Sequence, residues 1–304
     1  MMEAGETGIY LFFACTFATL LWHPGSPIQS YVTNNTVRRI LMGTGMGLAV
    51  ILIVSSPWGK QSGAHFNPAV SFTFFRLGKM APWDALFYCG SQLAGALAGV
   101  VLAALVLRGA PSHQAVRYSA TLPGIYGDRV AFTAEVVVSF LLMMTVLVAT
   151  NHRILAPYTR YLAALVIASG IAFESPLSGM SANPARTFGP AFCGGYWQTL
   201  WIYFTAPALG MLGAAEVFRL ARQGKPPYCA KLDHQNDKRC IFCHSEDLSQ
   251  THQRSMTMAA GTAMRAQRTF CWRAASGRGP RPPWLSRKGK NGKRTITPGP
   301  PPKP

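Results

Sequence analysis

The sequence predicts an all-α membrane protein: six transmembrane helices and two re-entrant half-helices, arranged as an inverted repeat. Three observations predict it. Long stretches are apolar and almost free of charge. Of the 304 residues 49% are hydrophobic and only 13% charged, against about 25% charge in ordinary soluble domains. The tripeptide Asn-Pro-Ala occurs twice, each time in matching surroundings.

A helix that crosses a bilayer needs about 20 mostly apolar residues, with a range of roughly 17–25. Residues 8–22 form a short first stretch. Its flank, Met-Met-Glu-Ala-Gly-Glu, is acidic where a cleavable leader carries a basic region, so it reads as a first span. Residues 40–56 form the second, without a charge, and residues 85–107 the third. Residues 130–150 form the fourth and carry one carboxylate, Glu135. Residues 161–173, apolar but short, form the fifth, and residues 197–218 the sixth. Gly43, Gly45 and Gly47 in the second span, and Gly90, Gly95 and Gly99 in the third, allow close backbone approach in lipid.

The internal repeat is the strongest signal. Residues 62–72 read SGAHFNPAVSF and residues 178–188 read SGMSANPARTF. Upstream, Glu3 is followed four residues later by Thr7, and Glu135 by Ser139. Each half holds three spans, and an odd number makes the second half enter from the opposite face. Inverted repeats of this kind place their site near the midplane, where broken helices meet. Non-helical backbone survives at membrane depth only when it is buried in protein or lines a water-filled path. Pro68 and Pro184 suit the first turn of a half-helix, with Asn67 and Asn183 as N-caps. Two N-termini facing each other create a positive potential that water tolerates and a cation does not.

These paired motifs resemble those of the major intrinsic protein family, the aquaporins and aquaglyceroporins, in a bacterial-type form; the likeness covers roughly residues 3–220. The resemblance implies six helices plus two half-helices, one pore per subunit, and a homotetramer. It matches Asn67, Pro68, Ala69, Asn183, Pro184 and Ala185 to the pore motifs. It matches Arg186 to the arginine of the outer constriction, and a lone arginine at membrane depth is functional because charge there is costly. His65 matches a pore-lining position on the inner side. Glu3 and Glu135 resemble buried glutamates that hold the broken loops by accepting backbone N–H bonds; Glu174 is assigned no role.

The permeant follows from finer positions of the same resemblance. Thr187, Ala191 and the adjacent Tyr203 and Phe204 are of the water-channel type. The remaining filter positions fall on Ile171, where strict water channels usually carry His, on Met180, and on Met46 or Gly47. The expected function is a passive water channel without catalysis. The alternative is a facilitator of glycerol or another small neutral solute (urea, ammonia, hydrogen peroxide), since losing the His removes a polar wall. An active transporter would need a coupling carboxylate in the pore.

Lys/Arg distribution sets orientation. With the N-terminus inside, Lys60, Arg76, Lys79, Arg153, Arg160, Arg219, Arg222 and Lys225 lie inside. The expectation is a bacterial inner (plasma) membrane protein with both termini cytoplasmic. Residues 1–224 are the channel domain, 225–250 a Cys/His-containing cytoplasmic segment, and 251–304 a basic tail. That tail holds 12 Lys/Arg and no Asp/Glu of the net +18, and its Gly/Pro-rich composition predicts disorder. Its run 287–294 attracts anionic surfaces without specificity, so no specific nucleic-acid partner is expected.

Seven scattered cysteines give no even disulfide framework. No cofactor is needed for permeation. Cys229, His234, Cys240, Cys243 and His244 all have metal-ligand chemistry; the three cysteines with one histidine, assigned as His244, offer a tetrahedral zinc set, and Cys240 to His244 also fits the C-x-x-C-H spacing of haem attachment. A membrane-anchored metal or redox protein working through this segment is the reading of a different class.

Overall fold

The computed structural model describes residues 1–234, 236, 238 and 240–243. His244 and the basic tail 251–304 lie outside the described residues. In chain order the principal helices are α1 (Met2–Trp22), α2 (Asn35–Ser55), the half-helix α3 (Pro68–Arg76), α4 (Pro82–Val106) and α5 (Asp128–Thr150). They are followed by α6 (Ala156–Ser178), the half-helix α7 (Pro184–Gly194) and α8 (Leu200–Ala221). All except the two half-helices are long and apolar enough to cross a membrane, which makes six spans among the described residues.

Two spans run past a carboxylate that ended their apolar stretch. The first begins at Met2 and not at residue 8, because Glu3 and Glu6 are buried within it and find partners across the bundle. The fifth runs past residue 173 through a wider π turn, Gly170–Glu174, and on to Ser178. A π turn inserts an extra residue per turn and often marks a functional site. In both cases a carboxylate ended the apolar stretch but not the helix. The second span also starts early, because Asn34 Oδ1 caps it by accepting from Thr36 N at 2.8 Å and Val37 N at 3.2 Å.

The repeat is visible in the packing. α1 lies against α4, and α5 lies against α8, as the most extensive helix pairs. Glycines make both approaches close. A Cβ on Gly99 would strike the carbonyl oxygen of Gly8, and one on Gly210 would strike that of Val136. Where a bundle is packed so tightly, an added methyl forces backbone shifts. One apolar core from Tyr10 to Leu232 gathers side chains from every span and from both re-entrant loops.

Each re-entrant loop turns on a glycine in the left-handed region, Gly63 at φ 101° and Gly179 at φ 83°. The chain then reaches an asparagine in extended conformation and enters a half-helix with proline at its first turn.

Candidate functional site

The two loops are held open by carboxylates. Glu3 accepts from His65 N at 3.0 Å, from Phe66 N at 2.7 Å and from Gln92 Nε2 at 2.7 Å. Glu135 accepts from Ser181 N, Ala182 N and Ser178 Oγ, each at 2.7 Å. Ala64 and Phe66 in the first loop, and Met180 and Ala182 in the second, all have positive φ. Such backbone costs about 1–3 kcal/mol per residue and persists only where surroundings over-determine it. The carboxylates are what over-determines it here. The serine before each turn glycine has a matching role: Ser62 Oγ donates to Glu6 at 2.7 Å, and Ser178 Oγ bonds both Glu135 and Glu174. Glu174 was noted without a role, and Glu6 and Gln92 were not singled out by sequence reasoning.

The two asparagines cap their half-helices and tie the loops to each other. Asn67 Oδ1 accepts from Ala69 N at 2.9 Å, and Asn183 Oδ1 from Ala185 N at 3.0 Å and Arg186 N at 3.3 Å. Asn67 Nδ2 donates to Ala182 O at 2.7 Å, and Asn183 Nδ2 to Phe66 O at 2.8 Å. A carboxamide nitrogen has two N–H groups. One from each asparagine is used across the loops, and the second is left for the cavity both residues line. Both half-helix N-termini converge here, so the site is electropositive without a metal.

On one side of the asparagines lies a cavity of about 450 Å³. Arg186, Met46, Ile171, Arg39, Tyr10 and Ser119 are in its wall. Arg186 is buried, and its Nη1 donates to Ser119 O at 2.6 Å and Nη2 to Ser119 Oγ at 3.2 Å. Residues 117, 118 and 119 all have positive φ, a strained run that presents this carbonyl to the guanidinium. Of the two second-span candidates, Met46 lines the cavity, whereas Gly47 faces α6, where a Cβ would meet Ala164 O. Met180 lies deeper, in the central cavity. Ser119 and Arg39 were missed, because they lie on no motif. Thr187 is spent on hydrogen bonds to Thr121 and Ser181, and the Tyr203 hydroxyl bonds Ser178 O.

On the other side the path narrows to about 40 Å³ around Asn67, Asn183, Val50, Leu142 and His65. His65 is buried, with Nδ1 3.0 Å from Ser71 Oγ and Nε2 2.8 Å from Ala230 O. Leu232, from beyond the last span, also lines this space. The segment after residue 225 therefore folds back onto the bundle.

In that segment Cys229, His234, Cys240 and Cys243 each offer a ligand atom, and these atoms all lie within 4.8 Å of one another. Among the described residues the histidine in the group is His234; His244 lies outside them. A hydrogen bond from Cys229 holds the Cys240 thiol well below the ordinary cysteine range; burial opposes this and a bond from His234 adds to it. The thiolate is the metal-binding form of cysteine.

Comparison with known proteins places this arrangement. The family described as Major intrinsic protein matches residues 1–218. Aquaporin NIP1-3 of Oryza sativa subsp. japonica is 34% identical over 178 residues, 58% of this chain and 60% of that protein. Aquaporin NIP3-1 of Arabidopsis thaliana is 35% identical over 211 residues, 66% of this chain and 64% of that protein. The match thus spans less than two thirds of these relatives' length. The X-ray structure of the aquaglyceroporin from Plasmodium falciparum shares the fold, with a TM-score of 0.60 and 21% identity over 71% of this chain and 93% of that one.

Proposed function

Since this chain belongs to the major intrinsic protein family, we propose that it is a passive transmembrane channel for water. The observation that carries this reading is the alignment of Arg186 with Asn183 and Asn67 along one path, each tied back to a carbonyl and each facing a cavity. Water enters past Arg186, loses neighbours and accepts hydrogen bonds from the free N–H groups of the two amides. A cation or proton meets two half-helix N-termini and a guanidinium with no compensating acid in the path, and is turned back. Glu3 and Glu135 are spent on the loops. Nothing is bonded or broken, so wall polarity and width do the selecting. The same proposal includes a homotetramer in the plasma membrane, oriented with both termini in the cytoplasm. The Lys/Arg bias supports that orientation, and the His65 side is then the inner mouth.

One observation favours a second reading. Met46 and Ile171 add apolar surface to the wall of the cavity that Arg186 lines. An apolar wall with one donor cluster suits a polyol, whose carbon face and hydroxyls both find partners.

Stopped-flow light scattering tests both. Liposomes holding the full chain, prepared with a metal chelator so that the Cys/His group is stripped, are shrunk in sucrose and then in glycerol. Shrinkage faster than empty liposomes with slow glycerol re-swelling is expected of a water channel. Rapid re-swelling assigns it to small solutes. Shrinkage at the empty-liposome rate overturns the channel. In Arg186→Ala the filter widens and glycerol re-swelling accelerates.

A further inference from the structure

We propose that Cys229, His234, Cys240 and Cys243 form a zinc-class metal site, and that metal bound there clamps Ala230, Leu232 and Phe242 across the His65-side mouth and closes the pore. The closing role rests on the channel reading; the metal site does not.

The donor set comes first. Cys229 Sγ lies 3.3 Å from Cys240 Sγ, and His234 Nε2 lies 3.0 Å from Cys243 Sγ. Three sulfurs and one imidazole nitrogen are the closed, tetrahedral set of a structural zinc site, with no position left for a substrate. The described residues of this stretch have neither helix nor strand beyond a turn at 241–243. A short irregular segment has little core of its own, and bound metal is a usual source of its folding free energy.

The metal ligands and the pore contacts are sequence neighbours. Next to Cys229 stands Ala230, whose carbonyl is 2.8 Å from His65 Nε2. Next to Cys243 stands Phe242, whose ring stacks on His65 with centroids 5.5 Å apart and planes 5° apart. Between the ligands, Leu232 donates its N–H to Gly63 O at 3.1 Å and sends its side chain into the central cavity. Gly63 is where this contact needs a missing side chain: a Cβ there would meet the Phe242 ring at 2.7 Å. The polar edge of His65 that faces the path is thus satisfied by backbone, and an apolar side chain stands where permeant would leave. Two further ties hold the rim, Arg160 to Asp233 at 3.0 Å and Tyr228 N to Asn151 Oδ1 at 2.7 Å. Metal that orders this segment favours the closed mouth, and by linkage the open mouth binds metal more weakly.

The test uses the full chain in liposomes. Zinc content is measured by elemental analysis, and water efflux is compared after loading with zinc chloride and after stripping with 1,10-phenanthroline. One zinc per chain is expected, with efflux rising roughly tenfold on stripping, within the usual range of coupling between two sites. The pair Cys240→Ser and Cys243→Ser should lose zinc and pass water quickly in either condition. The pair Leu232→Gly and Phe242→Ala should keep zinc and still pass water quickly, which separates clamp from plug. A chain that retains no zinc, or holds a Cys229 to Cys240 disulfide in its place, overturns the metal site. Bound zinc with equal, fast efflux in every form overturns the closing role while the channel stands. Bound zinc with efflux at the empty-liposome rate in every form, stripped and variant included, overturns the closing role because the channel beneath it has failed.

Discussion

The loop around Asn67 and the loop around Asn183 share a carboxylate brace, a serine-glycine turn, a capping asparagine and a proline-led half-helix. Their surroundings differ. Beyond Asn183 the path opens into a cavity of about 450 Å³ bounded by Arg186. Beyond Asn67 it meets Ala230, Leu232 and Phe242, from the segment that follows the last span. A repeated sequence has produced a symmetric device at the midplane and asymmetric mouths. Symmetry is kept where both copies solve the same problem, satisfying backbone at membrane depth. It is lost where each copy meets a different part of the chain.

The largest expected effects fall on the shared brace. Glu135→Ala leaves the N–H groups of Ser181 and Ala182 buried and unpaired, at about 1–3 kcal/mol each. Thermal unfolding in detergent should show a loss of several degrees or no folded protein. Glu3→Ala should match it. A clearly smaller loss at Glu3 would mean that the segment over His65 shares the load of the first loop, and would sharpen the contrast between the halves.

Next come the close helix contacts. Gly99→Ala and Gly210→Ala each push a methyl against a carbonyl of the paired helix. Both should cost about 1–3 kcal/mol by the same measurement. If one were silent, the packing of the halves would be less equivalent than their geometry implies.

The caps are smaller. Asn67→Ala and Asn183→Ala remove a cap worth about 0.5–2 kcal/mol. Asn183 should cost more, because its Oδ1 serves two N–H groups and that of Asn67 serves one. Equal losses would assign the cost to the cross-loop bonds, which the two share. Smallest is Asp233→Asn, which removes the charge from the pair with Arg160 but keeps a carbonyl oxygen able to accept from its Nη1. Stability should hardly move, but less chelator should be needed to speed water efflux. An unchanged chelator requirement would take this pair out of the closed mouth.

The fold was largely legible, and the reason is physical. A bilayer demands long apolar stretches and admits irregular backbone only at protected sites, so six spans and two Asn-Pro-Ala loops stand out in composition alone. The ends of α1 and α6 were not legible. Glu6 and Glu174 ended the apolar stretches but not the helices, because each is buried against a serine of a re-entrant turn, Ser62 and Ser178. Met46 could not be separated from Gly47 by counting, since one residue decides which side of a helix faces the path. Ser119, which anchors Arg186, belongs to a loop with no pattern of its own.

The sequence by itself determined the class of fold, the repeat, the paired asparagines and the isolated arginine, because each answers to a local rule: apolar length, helix capping, or the cost of charge in lipid. Only the tertiary structure decided the rest. It placed His234 among Cys229, Cys240 and Cys243 and laid Ala230 and Phe242 against His65. The cysteines stand out in the sequence by residue type, but which histidine joins them and what their neighbours cover depend on the path of the chain, which no local rule records.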